Sequence, residues 1–351
     1  MRDTYNGPWN WMASDMEDPV QWCIHLTPAH IRALDNALRS AKKGGVTLDR
    51  LTKENFPLSD FDQLIPEVLD RLENGRGVVV LRGLPALDYS KEELRLMYWG
   101  LGLYLGTGVS QSSKGDLLGD VMNFGADFNS STGRGYMSKQ ALGFHSDSAD
   151  VVVLMVLRTA MNGGVSKICS SVAIRNEIAR TRPDLLEVLY TPFYWSWKGQ
   201  QAPDEKSYYP QPTYSEHKGK FASRHIPPHV LSAHEDNPEL GPLPDKQKEA
   251  MVLINQLANE PRFHFGMLFE PGDIQLLNNH VTMHSRSEFE DWPNEPERKR
   301  HLLRMWLSMP NTRELSPLMS ALYQDQRGGT VRGGFPSRTG SHSFETVAAK
   351  D

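Results

Sequence analysis

Phe269-Glu270-Pro271-Gly272-Asp273-Ile274-Gln275-Leu276-Leu277-Asn278-Asn279-His280-Val281-Thr282-Met283-His284-Ser285-Arg286 reads as a Pro-Gly-Asp turn that starts an apolar strand and delivers two Asn and two His. A run of this kind bounded by turn residues is one unit of a sheet. Comparable runs occur at Val151 to Leu157, Val165 to Val172, Tyr194 to Trp197 and Phe263 to Phe269, interrupted by a helix expected from about Pro244 to Asn259. Strands thus dominate from 142 to 310 without regular β-α-β alternation, which predicts an antiparallel barrel or sandwich rather than a doubly wound sheet. No G-x-G-x-x-G follows a strand, and no G-x-x-x-x-G-K-[ST] occurs, so nucleotide-cofactor readings lose their usual support.

Outward from this core, residues 1–75 read as a helical extension. Thr27 is the expected N-cap of a helix opening at Pro28. Gly75-Arg76-Gly77 then releases a buried strand, Val78-Val79-Val80-Leu81, and Ser90 with Glu93 forms a capping box for a helix from about Lys91 to Leu105. The Gly-, Ser- and Asn-rich stretch 106–142 has the character of a lid or site-lining segment. Residues 202–243 read as a polar, Pro-rich insertion, and 311–351 as a tail of loops. The expected organisation is a helical extension (1–75), one elaborated barrel domain (76–310) and a C-terminal tail folding back over the site.

Composition narrows the function. The 351 residues are 39% hydrophobic and 23% charged, as in a globular protein, and contain no apolar run near the ~20 residues a spanning helix needs. A net charge of −5 offers no general attraction to phosphate backbones, so no nucleic-acid partner is expected. Two cysteines, Cys23 and Cys169, have no zinc or redox spacing, and the N-terminus lacks a basic start and apolar stretch. These features predict a cytoplasmic protein; oligomeric state stays open.

The densest chemical signal is Gly143-Phe144-His145-Ser146-Asp147-Ser148-Ala149-Asp150. Residues i and i+2 of a strand share a face, so His145 and Asp147 can offer an imidazole nitrogen and a carboxylate oxygen to one point. A third ligand from a distant strand would complete a facial two-His-one-carboxylate set, which suits Fe(II) and leaves positions open. H-x-D alone is a weak motif. Both His280 and His284 compete for the distal position, since four residues apart they would share a strand face.

Taken in order, G-F-H-S-D (143–147), G-G-V-S (163–166), the 270–286 stretch and R-H-L-L-R-M-W-L (300–307) resemble the Fe(II)- and 2-oxoglutarate-dependent dioxygenases of the taurine dioxygenase (TauD/TfdA) type. The resemblance runs from about Gly77 to Pro310. It implies an α+β fold with a double-stranded β-helix (jelly-roll) core, flanking helices and a non-haem iron centre. It also implies that His145, Asp147 and His284 hold the metal, and that Arg300 binds 2-oxoglutarate with Ser166 in the place where many relatives carry Thr. Arg304 is implied to meet an anionic group of the substrate. Arg suits both tasks because its planar fork makes paired, charge-assisted hydrogen bonds to a carboxylate.

The loop between His284 and Arg300 is longer than in taurine dioxygenase. Gln111, Asn123 and Phe335 are expected to line the substrate pocket. Fe(II), 2-oxoglutarate and O2 would then oxidise an unactivated C–H bond of a small, anionic, carboxylate-bearing molecule such as an amino acid, releasing succinate and CO2. Hydroxylation is the commonest outcome in this family; desaturation and ring closure, including aziridine formation, are others. Two further classes compete: a cupin-type metal-dependent hydrolase or isomerase in which His225, His229 or His264 supplements His145, and a non-catalytic binding protein on the same barrel.

Overall fold

A computed structural model describes residues 3–123 and 139–345. The expected caps form. The Thr27 hydroxyl accepts from the His30 amide at the start of α1 (Pro28–Lys43), and Ser90 and Glu93 exchange hydrogen bonds at the start of α3 (Lys91–Leu105). Between them lies α2 (Leu64–Glu73). The N-terminal part is not purely helical, because β1 (Cys23–His25) joins the sheet edge, parallel to β2 (Val78–Arg82). Three residues are too few for a period-2 pattern to reveal.

A seven-stranded sheet runs in the order β1, β2, β14 (Ile274–Asn278), β6 (Val151–Arg158), β17 (His301–Ser308), β3 (Thr107–Val109), with β4 (Leu118–Val121) also on β17. Its strands are apolar on both faces. Val79, Leu81, Leu276, Met155, Leu303 and Met305 pack against Leu34, Val68, Met97 and Leu101 of α1, α2 and α3. Val78, Val80, Val152, Leu277 and Trp306 face the other way. This alternation explains β-branched runs where a half-solvated sheet would show polar residues.

Opposite lies a four-stranded sheet, β13 (His264–Met267), β8 (Ser166–Ser170), β15 (Thr282–Arg286), β5 (Leu142–His145). A two-stranded ribbon pairs β7 (Asn162–Gly163) with β16 (Phe289–Glu290). The two facing sheets make the jelly-roll of an α+β fold.

The run Val165 to Val172 is cut short, because the Ser170 hydroxyl accepts from the Ala173 amide and caps α4 (Ser171–Thr181). This helix stacks with α5 (Pro183–Leu189) and α7 (Asp245–Asn259), burying Ile174, Ile178, Leu185, Leu189, Ile254 and Leu257 together. The insertion at 202–243 carries strands and a helix of its own. β9 (Pro192–Ser196) pairs with β10 (Tyr208–Pro212), β11 (Tyr214–His217) pairs with β12 (Lys220–Ser223), and α6 (Pro227–Asp236) follows. Tyr209, Tyr214 and Phe221 bury in the core; their sequence signal was masked by the intervening Pro, Glu and Lys. Among the described residues no helix is long and apolar enough to cross a membrane.

Candidate metal centre and co-substrate pocket

β15 lies antiparallel to β5 with His284 directly opposite His145, their ring centroids 4.3 Å apart. One donor atom from each of His145, Asp147 and His284 lies within 4.8 Å of the others, the one such His/Cys/Asp/Glu group among the described residues. Asp147 is not delivered by strand alternation, since β5 ends at His145. Its position depends on distant groups instead. The Asp147 amide donates to Asn279 Oδ1 (2.9 Å), Trp306 Nε1 donates to Asp147 Oδ2 (3.1 Å), and Asn279 Nδ2 donates to the Ala149 carbonyl (2.9 Å).

The electrostatics favour a cation. His145 Nδ1 lies 2.9 Å from the Gly143 carbonyl, which leaves Nε2 as the free lone pair. Burial and the neighbouring His145 push His284 down to about 3, so its imidazole stays neutral, and its Nδ1 has no hydrogen-bond partner among the described residues. Burial alone would raise Asp147, but Arg304, His284, His145 and the Trp306 bond together hold it below the usual carboxylate range. Two imidazoles and one carboxylate form a donor set suited to Fe(II).

His280 is elsewhere. It precedes β15, and its Nε2 lies 2.8 Å from Asp150 Oδ1 in a buried cluster with Arg332, whose Nε donates to the same oxygen at 2.9 Å. The other competing histidines are also engaged, His225 with Asn255, His229 with the Ser196 carbonyl and His264 with the Ala258 carbonyl. None joins His145.

Arg300 directly precedes β17, and the register slips between His301 and Leu302 with the extra residue, Leu157, on β6. Arg304 donates to Gln111 Oε1 (2.7 Å), and its Nη1 lies 4.0 Å from Asp147 Oδ1. Gln111 also donates to the Arg304 carbonyl, so it supports Arg304.

Arg300 is 4% exposed and lies over the Phe289 ring at 5.1 Å, its amide held by Asp291. The long loop after His284 thus supplies its floor and its brace. At Gly164, φ +68° excludes most side chains, and a Cβ would meet Arg300 Nε at 3.2 Å. Burial and the charge of Arg286 push Arg300 down to about 9, and its Nη1 has no partner among the described residues. A dicarboxylate would satisfy this environment. Ser166 lies across from Arg286 on β8, its hydroxyl 3.1 Å from Gln275 Nε2.

Phe335 packs against Trp306 (5.9 Å between centroids) and Trp197 (6.2 Å). The tail reaches it because the Gly334 and Phe335 amides donate to the Ser148 and Ser110 carbonyls. Asn123 is the last residue before 124–138, and that part of the expected lid lies outside the described residues. Two surface clefts, one lined by Asn10, Arg71 and Arg76 and the other by His217, Glu314 and Arg327, contain none of these groups.

Asn279 was missed as a site residue, although its pairing with Asn278 was legible. Asn279→Ala is expected to weaken Fe(II) binding by about 10- to 100-fold while the protein stays folded, because ligand-orienting groups typically contribute that much. Anaerobic Fe(II) titration checks it, and unchanged affinity would refute the positioning role.

The comparisons agree with the geometry. The profile of the taurine catabolism dioxygenase TauD, TfdA family matches residues 42–306. The FR-33289 synthase of Streptomyces rubellomurinus is 29% identical over 313 residues, covering 88% of this chain and 92% of that protein. The taurine hydroxylase-like protein SAT17 of Stachybotrys chartarum is 28% identical over 305 residues, covering 84% and 77%. Among solved structures, an asparagine oxygenase in complex with Fe(II), 2S,3S-3-hydroxyasparagine and succinate superposes with a TM-score of 0.64 at 15% identity, covering 82% of this chain and 93% of that one. The non-heme iron oxygenase OrfP with Fe and alpha-ketoglutaric acid superposes at 0.58 and 15%, covering 82% and 93%. With three quarters of its length matched by that profile, the chain belongs to the TauD, TfdA family and is an Fe(II)- and 2-oxoglutarate-dependent dioxygenase.

Proposed function

We propose that the protein oxidises an unactivated C–H bond of a small carboxylate-bearing substrate of the amino-acid type, with hydroxylation as the leading outcome and desaturation or ring closure as alternatives. The observation that carries this reading is the convergence of His145, Asp147 and His284 donor atoms within 4.8 Å. In it these three residues hold Fe(II), and Arg300 with Ser166 takes the distal carboxylate of 2-oxoglutarate. Arg304, braced by Gln111, meets the substrate carboxylate, while Asn123 and Phe335 line the pocket. The amino-acid class is supported by hydroxyasparagine and hydroxy-L-Arg in the complexes of the structural neighbours.

When bound, iron, 2-oxoglutarate and O2 supply the C–H oxidation, with release of succinate and CO2. The chain's part is placement and exclusion of water. Trp306 fixes one oxygen of Asp147, the Gly143 carbonyl selects the His145 tautomer, and Phe335 with Trp197 and Trp306 presents an apolar wall. We also read residues 76–310 as one domain, with 1–75 packed on it and the 311–351 tail covering the site. Two buried, unpaired cysteines support a cytoplasmic setting.

The test is anaerobic addition of Fe(II) and 2-oxoglutarate, followed by a succinate-release screen over amino acids and other small carboxylates. A weak visible charge-transfer band and substrate-stimulated succinate are expected. No band from folded protein would overturn the assignment.

A further inference from the structure

Arg175, Arg224 and Arg332 are among the arginines essentially sealed from solvent. Arg332 pairs with Asp150 at 2.9 Å, and Arg175 lies 3.6 Å from Glu216. Arg224 has no carboxylate partner among the described residues. Its Nη1 donates to the Ser148 hydroxyl (2.9 Å), and its guanidinium lies 5.2 Å from the centre of the Trp195 ring. Among the described residues Nε and Nη2 have no partner at normal hydrogen-bond distance, the Tyr209 hydroxyl being the polar group drawn toward this guanidinium. These two groups form one edge of the guanidinium, the edge that grips an oxyanion with two parallel bonds. A buried cation with unmet donors is costly, and such a group calls for an anion.

The surroundings are built to match. Trp195 and Tyr209 are directly opposite on β9 and β10, so they share a face with Gln211 two residues on. Both Gln211 amide atoms are buried without hydrogen-bond partners among the described residues, and burial raises the pKa of the buried Tyr209 hydroxyl while the charge and close approach of Arg224 offset part of that rise. The cluster also adjoins the metal site. Ser148 follows Asp147 by one residue, and His225 and Ser146 exchange hydrogen bonds at 3.0 Å. An aromatic path of Trp306, Phe335, Trp197 and Tyr209 links the Asp147 carboxylate to the same place, the last two rings 4.0 Å apart.

We propose that the Nε/Nη2 edge of Arg224, with Tyr209 and Gln211, is a subsite for an oxyanion group of the organic substrate, separate from the carboxylate assigned to Arg304. This rests on the proposed oxygenase function and narrows it: the substrate bears two anionic groups, one read from β17 by Arg304 and one from the end of β12 by Arg224. A carboxylate, sulfonate or phosphonate shares the required chemistry.

The test uses protein loaded anaerobically with Fe(II) and saturating 2-oxoglutarate, so that the co-substrate's own anion site is filled. Acetate, methanesulfonate and methylphosphonate are titrated, with acetamide as the uncharged control, and the melting temperature is read. At least one anion is expected to stabilise the wild type and acetamide is not. Arg224→Met should lower the affinity for that anion about 10- to 100-fold, as befits a charge-assisted pair, with the Fe(II)/2-oxoglutarate band unchanged. Arg224→Lys, a point charge without the fork, should recover only part of it. Should Arg224→Met fail to fold, Tyr209→Phe serves, with about a tenfold loss expected. No response of the wild type to any of the three anions, or variants that bind as the wild type does, overturns the proposal. A wild type lacking the band would instead sink the oxygenase reading itself.

Discussion

His284→Ala is expected to abolish the visible Fe(II)/2-oxoglutarate band and substrate-stimulated succinate release, with Fe(II) affinity falling well beyond the ~10–100-fold typical of losing a merely orienting group. Among the described residues three donors converge at the centre, so deleting one leaves a two-ligand site with no facial set. His280→Ala is the control. Its ring contacts Asp150 rather than the metal trio, so the band should persist while stability falls. Loss of the band in His280→Ala with retention in His284→Ala would reverse the assignment. Anaerobic absorption and Fe(II) titration on both variants decide it, with circular dichroism to establish folding.

The second large effect is on stability. Asp150 is fully buried and accepts from His280, Arg332 and Ser308. Burial alone would raise its pKa; the His280 bond and the Arg332 charge hold it below the usual range, so it stays ionised. Burial likewise lowers His280, which donates as a neutral imidazole, and among the described residues Arg332 is therefore the one formal counter-charge within ion-pair distance of Asp150. Arg332→Met should cost about 3–5 kcal/mol, because a carboxylate left without its counter-charge in the interior is far worse than the pair. A fall in melting temperature on the order of 10 °C is expected for a chain of this size.

The same substitution should loosen the tail. Arg332 also donates to the Gln326, Arg327 and Arg313 carbonyls, and Phe335 sits only three residues further on against Trp306. Limited proteolysis near residue 330 should accelerate. A melting temperature equal to that of the wild type would show the cluster to be dispensable.

Much of this was legible locally. Helix starts at Thr27 and Ser90, the Val78 to Leu81 strand and the 151–157 strand follow from caps and periods that involve neighbours in sequence. The strands inside the 202–243 insertion were not legible, because each sets buried Tyr or Phe beside Pro, Glu or Lys, which resembles loop composition. A register slip at His301 depends on pairing with β6, which no local pattern reports.

The sequence by itself determined the fold class, the ligand types and their order along the chain, because turn chemistry, strand period and motif order are properties of short segments. Tertiary structure decided which histidine meets the metal trio. Strand parity admits His280 and His284 alike, the family resemblance favours His284, and the pairing of β15 with β5 sets 284 opposite 145. It also decided that Asp147 is aimed by Asn279 and Trp306, from positions 132 and 159 residues away. Finally, it left Arg224 buried with an open edge. A sequence shows that a residue is charged; only packing shows whether its counter-charge is there.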